Sequence, residues 1–541
     1  MKKIAVYDTT LRDGAQAEGV SFSLEDKIRI AHRLDAFGLD YIEGGFAGSN
    51  PKDMEFFRRM ASAKLQHARL TAFGSTRRAN RTAAEDTVIQ AMLEAATPAV
   101  AVFGKSWTLH VRDVLRTSEE ENLEMIADSV RYLKEHGKEV IYDAEHFFDG
   151  YKDSPEYALQ TLQAAAEAGA DCVVLCDTNG GTLPHEIHSI TCEVIRRLGP
   201  VSVGIHAHND SECGVANSLE AVRAGANHVQ GTINGIGERC GNANLCSIVA
   251  NLALKLGYEC SAARNLKELK AVSEFVYELA NLMPNPKAPY VGESAFAHKA
   301  GMHVDGVRKN PRSFEHVDPE SVGNRRRILI SELSGTSNVF LKAVEMGFRV
   351  DRTSPEIKEI LSRLERLEKE GYEFEAAEAS FKLLIQKVLR EHRPFFELGG
   401  FRVIVEKRKK DEPAVSEAVI KVGVGEEVEH TVGEGCGPVD ALNAALRRAL
   451  TRFYPQIRDV VLTDYRVRIL DPEHATAAKT RVLVESSDGH HRWSTVGVSE
   501  NIIEASWEAL VDSIEYKLFL DKQQAEGESG EQRGEISGKE L

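Results

Sequence analysis

The chain has 541 residues, 42% of them hydrophobic, and a formal net charge of −16, so it is long enough for several domains and too acidic for nucleic acid or an anionic membrane to be its main partner. Its eight cysteines form no C-x-x-C pair, which fits reduced thiols better than a disulfide framework. A strand-like run begins at Ile4 with no signal-peptide core before it, and no apolar run could span a bilayer, so a soluble cytoplasmic protein is expected.

From residue 1 to about 260 one unit repeats. Apolar, strand-like runs occur at 3–8, 39–43, 69–73, 98–103, 138–144, 171–177, 201–207 and 227–233. Helical periodicity follows each of them, at 23–37, 51–65, 80–96, 118–136, 155–169, 184–198, 211–225 and 244–256. Leu24, Ile28, Ala31 and Leu34 give the first helix its buried stripe, and Ser23 with Asp26 its cap. Gly38, Gly137, Gly169, Gly199 and Gly225 each close a helix just before the next strand. This α/β pattern predicts a closed (β/α)8 TIM barrel over residues 1–260. An open doubly wound sheet fits less well, because no Gly-rich phosphate-binding turn follows the first strand.

Residues 261–395 change character. Helices are expected near 265–282, 337–347, 354–370 and 373–392, with irregular stretches such as 295–306 between them, so this region reads as a helical connector subdomain. Residues 396–520 hold an internal repeat. Thr431-Val432-Gly433 recurs as Thr495-Val496-Gly497, and Ala441, Ala445 and Leu446 recur as Ala505, Ala509 and Leu510 at the same offset. Two like α+β units predict a C-terminal regulatory domain, suited to an effector between its lobes, to dimerisation, or to both. The Glu-, Gly- and Ser-rich tail, 521–541, is expected to be disordered.

In a (β/α)8 barrel, chemistry sits at the C-terminal ends of the strands. Strand one supplies Arg12 and Asp13 there, within the stretch Asp8-Thr9-Thr10-Leu11-Arg12-Asp13-Gly14-Ala15-Gln16. Strand two supplies Glu43, strand five Asp143 and Glu145, and strand six Thr178. Strand seven supplies His206 and His208, and the loop after strand eight Glu238 and Asn242. Residues two apart on a strand face one side, and strands seven, eight and one adjoin in a closed barrel. Asp13, His206, His208 and Asn242 are therefore expected to converge. Two imidazoles, a carboxylate and an amide oxygen suit a divalent ion (Mn, Zn or Mg) with positions left open for substrate. Arg12 is expected to stabilise a developing oxyanion beside it, and Glu43 to orient substrate. The glycines of Gly235-Ile236-Gly237-Glu238-Arg239 allow a tight loop that aims Asn242 inward. Outside the barrel, His303 and Asp305 form a His-x-Asp that is either inert or a base oriented by a carboxylate.

Three motifs carry a resemblance: Asp8 to Gln16, His206-Ala207-His208-Asn209-Asp210, and Gly237-Glu238-Arg239-Cys240-Gly241-Asn242. They resemble the signatures of the 2-isopropylmalate, homocitrate and citramalate synthase family, metal-dependent TIM-barrel enzymes that condense an acyl-CoA with a keto acid. The resemblance spans almost the whole chain, and Tyr41 to Asp53 is most similar to the family's pyruvate-using branch. It implies that Asp13, His206, His208 and Asn242 hold the metal and that Arg12 polarises the ketone, with Glu43 beside it. Gln16, Asp143, Glu145, Thr178 and Glu238 would surround the keto acid and acyl group. His303, with Asp305 beside it, would be the base, offered to the barrel of the other subunit of a homodimer. Phe314 departs from a tyrosine common in the family and lacks its hydroxyl. The implied activity is Claisen condensation of acetyl-CoA with pyruvate and thioester hydrolysis to citramalate and CoA. It would serve isoleucine biosynthesis, with isoleucine as feedback effector. The nearest alternative is the same chemistry on 2-ketoisovalerate, giving 2-isopropylmalate. A lyase running in reverse and a non-catalytic effector-binding protein fit the motifs less well.

Overall fold

Each of the eight apolar runs becomes a parallel strand: β1 Ala5–Asp8, β2 Tyr41–Phe46, β3 Arg69–Ser75, β4 Ala99–Lys105, β5 Glu139–Glu145, β6 Cys172–Asp177, β7 Ser202–Ala207 and β8 His228–Gly231. β1 pairs with β2, Tyr7 opposite Tyr41, and also with β8, Ala5 to Asp8 opposite His228 to Gly231, so the sheet closes into a barrel. Strands buried on both faces read as continuous apolar runs, which is why they stand out in the sequence. The computed structural model describes residues 3–537 apart from 64, 330–334, 390, 408, 412, 472 and 474–477.

The first helix, Leu24–Phe37, shows how the units are terminated. The Ser23 hydroxyl accepts from the Asp26 amide while the Asp26 carboxylate accepts from the Ser23 amide, and Gly38 ends the helix at φ 96°. Ile30, Ala31, Leu34 and Phe37 are its buried face. The helix expected over 80–96 is shorter, Thr87–Glu94, because the Asp86 carboxylate caps the amides of Val88 and Ile89.

The chain divides into two units, and the division falls inside the stretch read as a connector. The first unit is Met1–Phe296 with Glu315–Arg326, and the second is Ala297–Phe314 with Arg327–Leu541. In the second unit, helices Thr336–Glu345, Pro355–Glu370 and Glu378–Leu389 share one apolar cluster. A helix that periodicity did not show, Gly301–Lys309, lies where irregular backbone was expected. Gly301 and Gly306 weaken its helical signal, and it is anchored by buried Val304 and Val307.

The repeat in the second unit has a physical cause. Strands Glu397–Glu406, Val415–Val424 and Glu427–Gly435 form one antiparallel sheet, and Val461–Ile469, Thr480–Ser487 and Arg492–Ser499 form another. Helix Pro438–Leu450 packs on the first and the helix beginning at Ile502 on the second. A Cβ at Gly433 would collide with the backbone of Ala441 and Ala445, and one at Gly497 with that of Ala505. The Thr431 hydroxyl donates to the Ala445 carbonyl at 3.0 Å, and Thr495 to Ala509 at 2.6 Å. The recurring Thr-x-Gly and the recurring alanines are thus two sides of one close helix–sheet contact. The last helix runs Ile502–Ser537, so the tail expected to be disordered, 521–541, is helical through Ser537. Residues 538–541 lie outside the described residues.

Inside the barrel, His228 is buried between the rings of Tyr7 and Tyr41, with centroids at 5.4 and 5.5 Å. Burial pushes its pKa down to about 3. Unfolded, it would take a proton near pH ~6.5. The unfolded chain then binds the extra proton, so stability is present above that pH and is lost as pH falls towards 3. A His228→Phe variant is expected to lose less stability between those limits, with the difference reaching on the order of 4 kcal/mol. Thermal melts across pH check this, and equal acid sensitivity of the two proteins would refute it.

Candidate active site

The loop after β1 is closed by local bonds. The Asp8 carboxylate accepts from the Thr10 amide (3.0 Å) and hydroxyl (2.7 Å). The amides of Arg12 and Asp13 return to the Thr9 carbonyl at 3.2 and 2.9 Å. Arg12 and Asp13 are thereby held side by side at the barrel mouth. Burial alone would raise the Asp13 pKa, but Arg12 and His206 hold its carboxyl well below the usual range. Oδ2 of Asp13 is 3.2 Å from Nε2 of His206 and 3.9 Å from Nε2 of His208. All three side chains are buried, and their ligand-type atoms lie within 4.8 Å of one another. Burial, with His206 beside it, pushes His208 down to about 4, so it is a neutral imidazole at neutral pH.

Asn242 is brought alongside His208 by the backbone of the loop after β8. Gly235 and Gly241, at φ 70° and 91°, turn the loop after β8 back on itself. The loop then bridges His208 through Asn242, and the Ala243 amide donates to the Ala207 carbonyl at 2.9 Å. A Cβ at Gly237 would collide with the Asn242 amide. Both polar atoms of that amide are buried without a hydrogen-bond partner, an arrangement that costs about 1–3 kcal/mol if nothing completes it. A carboxylate and two imidazoles, to which the orphaned amide of Asn242 would add an oxygen, make a donor set that fits a divalent cation.

Glu43 is fully buried against Arg12. It accepts from Nε of Arg12 at 2.8 Å, from the Tyr7 hydroxyl at 2.9 Å and from the Thr9 hydroxyl. Its neighbours are protein donors, so the carboxylate expected to orient substrate instead fixes the guanidinium. That guanidinium lies 3.9 Å above the ring of Phe73.

A cavity of about 500 Å³ opens at this end of the barrel. Arg12, Asp13, His206 and His208 line it, as do Gln16, Asp143, Glu145, Thr178 and Glu238. Burial, with the charge of Glu43, pushes Asp143 up to about 7. Glu145 is ion-paired with Lys105, the Thr178 hydroxyl accepts from the His146 amide at 2.9 Å, and Glu238 stands exposed at the rim. Two groups were not singled out in the sequence. Phe46, Phe73 and Phe103 form an aromatic wall, with Phe73 and Phe103 stacked at 5.1 Å and Phe46 edge-on to Phe73 at 5.6 Å. Gln230, on β8, touches both His206 and Asp143. A polar residue two positions after His228 on a buried strand was the available signal for it.

His303 and Asp305 belong to the second unit, whereas the cavity lies wholly in the first. The His303 ring stacks on Phe314 at 4.2 Å, so the phenylalanine packs against the imidazole face. The Asp305 carboxylate is engaged by Arg308 at 3.4 Å and Lys309 at 2.6 Å.

Three family models match the chain: "HMGL-like" over residues 3–276, "Homocitrate synthase post-HMGL domain-like" over 290–371, and "LeuA allosteric (dimerisation) domain" over 375–518. An (R)-citramalate synthase of Aquifex aeolicus is 56% identical over 524 residues, covering 97% of this chain and 99% of that protein. One from Geobacter sulfurreducens is 55% identical, with coverages of 97% and 99%. A probable 2-isopropylmalate synthase of Methanopyrus kandleri is 34% identical, covering 95% of this chain and 98% of that protein.

Proposed function

The chain belongs to the family of (R)-citramalate synthases, and on that premise we propose that its barrel condenses acetyl-CoA with pyruvate to give citramalate and CoA. The observation that carries the reading is the convergence of Asp13, His206 and His208 beside Arg12, with the backbone of Asn242 bridged to His208. These four residues would hold a divalent ion, which supplies Lewis acidity towards a 2-keto acid. The ion is Mn, Zn or Mg, and the carboxylate and amide oxygen argue against a purely structural zinc. Arg12, held by Glu43, donates to the keto oxygen as it becomes an alkoxide. The acetyl methyl group gives a proton to a base and forms the new C–C bond to the keto carbon. Water then cleaves the thioester C–S bond and CoA leaves as the thiol. Gln16, Asp143, Glu145, Thr178 and Glu238 orient keto acid and acyl group along the wall. The base in this reading is His303 of a second subunit in a homodimer, which the match to a dimerisation domain supports. The C-terminal unit is regulatory, with isoleucine as its effector. A cytoplasmic setting fits the eight free thiols. Among the described residues, no helix is long and apolar enough to cross a membrane.

The aromatic wall supports pyruvate as the keto acid. Phe73 lies directly under Arg12, so the substrate's alkyl group would meet the three rings, and they crowd a branched chain more than a methyl. CoA release with pyruvate is expected to exceed that with 2-ketoisovalerate. Phe103→Ala should narrow the ratio of kcat/KM values by about 10-fold, within the range one methylene commands. A reversed preference in the wild-type protein would favour 2-isopropylmalate synthesis instead.

A further inference from the structure

The two imidazoles at the barrel mouth are held differently. Nδ1 of His208 is buried without a hydrogen-bond partner, whereas Nδ1 of His206 lies 2.8 Å from Oε1 of Gln230. Gln230 is fully buried on β8, and its Nε2 donates to Oδ1 of Asp143 at 2.9 Å. This arrangement has a polarity. The amide gives its donor end to a carboxyl and turns its acceptor end to His206. With an ion held at the site, Nδ1 of His206 would donate its hydrogen to Gln230, and Nε2, 3.2 Å from Asp13, would keep its lone pair for the ion. That is the tautomer a metal ligand needs. A hydrocarbon in place of the amide would leave both neighbours without a partner, whereas a glutamate would keep the acceptor facing His206.

We infer that Gln230 is a positioning residue for the metal centre: it fixes the tautomer and ring orientation of His206 and ties that ligand to Asp143 on the cavity wall. The inference rests on the metal reading above. Residues that hydrogen-bond to a ligand's far nitrogen commonly alter metal affinity by 10–100-fold when lost. Among the described residues, Gln230 is the one side chain hydrogen-bonded to both His206 and Asp143.

The test measures Mn2+ affinity by competition with a chromophoric chelator, on the full-length protein without substrates. Gln230→Leu is expected to weaken Mn2+ binding about 10–100-fold. Gln230→Glu, which still accepts from Nδ1 of His206, is expected to recover most of that loss. Thermal melts accompany each variant, and if Gln230→Leu does not fold, Gln230→Met, which matches the side chain's length, replaces it. Wild-type affinity in the apolar variant overturns the inference and leaves the metal site standing. A loss that Gln230→Glu fails to recover marks general damage to strand eight and also overturns it. Failure of the wild-type protein to bind Mn2+ overturns the metal reading, and the inference with it.

Discussion

Replacing Asp13 with alanine is expected to lower CoA release to below about 1% of wild type, since losing even an outer partner of a metal ligand costs 10–100-fold. Asp13 is the hub of the cluster. Among the described residues it is the only carboxylate within 4 Å of both imidazoles, and it also pairs with Arg12 at 3.4 Å. Its loss removes the one anionic ligand and leaves His206, His208 and Asn242 as a neutral set. Metal affinity should fall together with turnover, while the melting temperature stays close to that of wild type. A fully active Asp13→Ala protein would remove the metal site from the mechanism.

Replacing Arg12 with glutamine is expected to lower kcat by about 10²–10³-fold, the usual effect of losing one preorganised oxyanion donor. Metal affinity should change far less, because Arg12 is not a ligand. The preorganisation is visible. Glu43 fixes Nε, the Tyr7 and Thr9 hydroxyls fix Glu43, and Phe73 supports the plane of the guanidinium. Arg12→Lys keeps the charge but not the planar guanidinium that meets Glu43 through Nε and Asp13 through Nη1, so it should recover only part of the rate. A rise in KM for pyruvate with kcat unchanged would assign Arg12 to ground-state binding rather than to the developing alkoxide.

The barrel and most of its site were legible in the sequence for definite reasons. Strands buried on both faces leave unbroken apolar runs, so all eight could be counted. Residues at their C-terminal ends are ordered by that count, which is how Asp13, His206 and His208 could be brought together from opposite ends of the barrel's sequence, with Asn242 bridged to His208 by the loop that follows. What stayed hidden depends on partners rather than on pattern. Phe46, Phe73 and Phe103 look like ordinary core residues until their strands are placed around a cavity. Gln230 is a single amide whose meaning lies in its two neighbours. Glu43 was read as facing substrate because its three donors come from β1 and the loop after it. The helix carrying His303 and Asp305 was concealed by Gly301 and Gly306. Its Asp305 side chain pairs with Arg308 and Lys309 one turn on, which local periodicity does not reveal.

The most direct measurement is a titration of Mn2+ into chelator-stripped protein with acetyl-CoA and pyruvate present, reading free CoA with a thiol reagent and citramalate by mass spectrometry. The site described here predicts almost no CoA release without metal, a rise to a plateau at a single ion per chain, and one citramalate for each CoA. CoA release that persists in stripped protein, or that rises without citramalate, would contradict it.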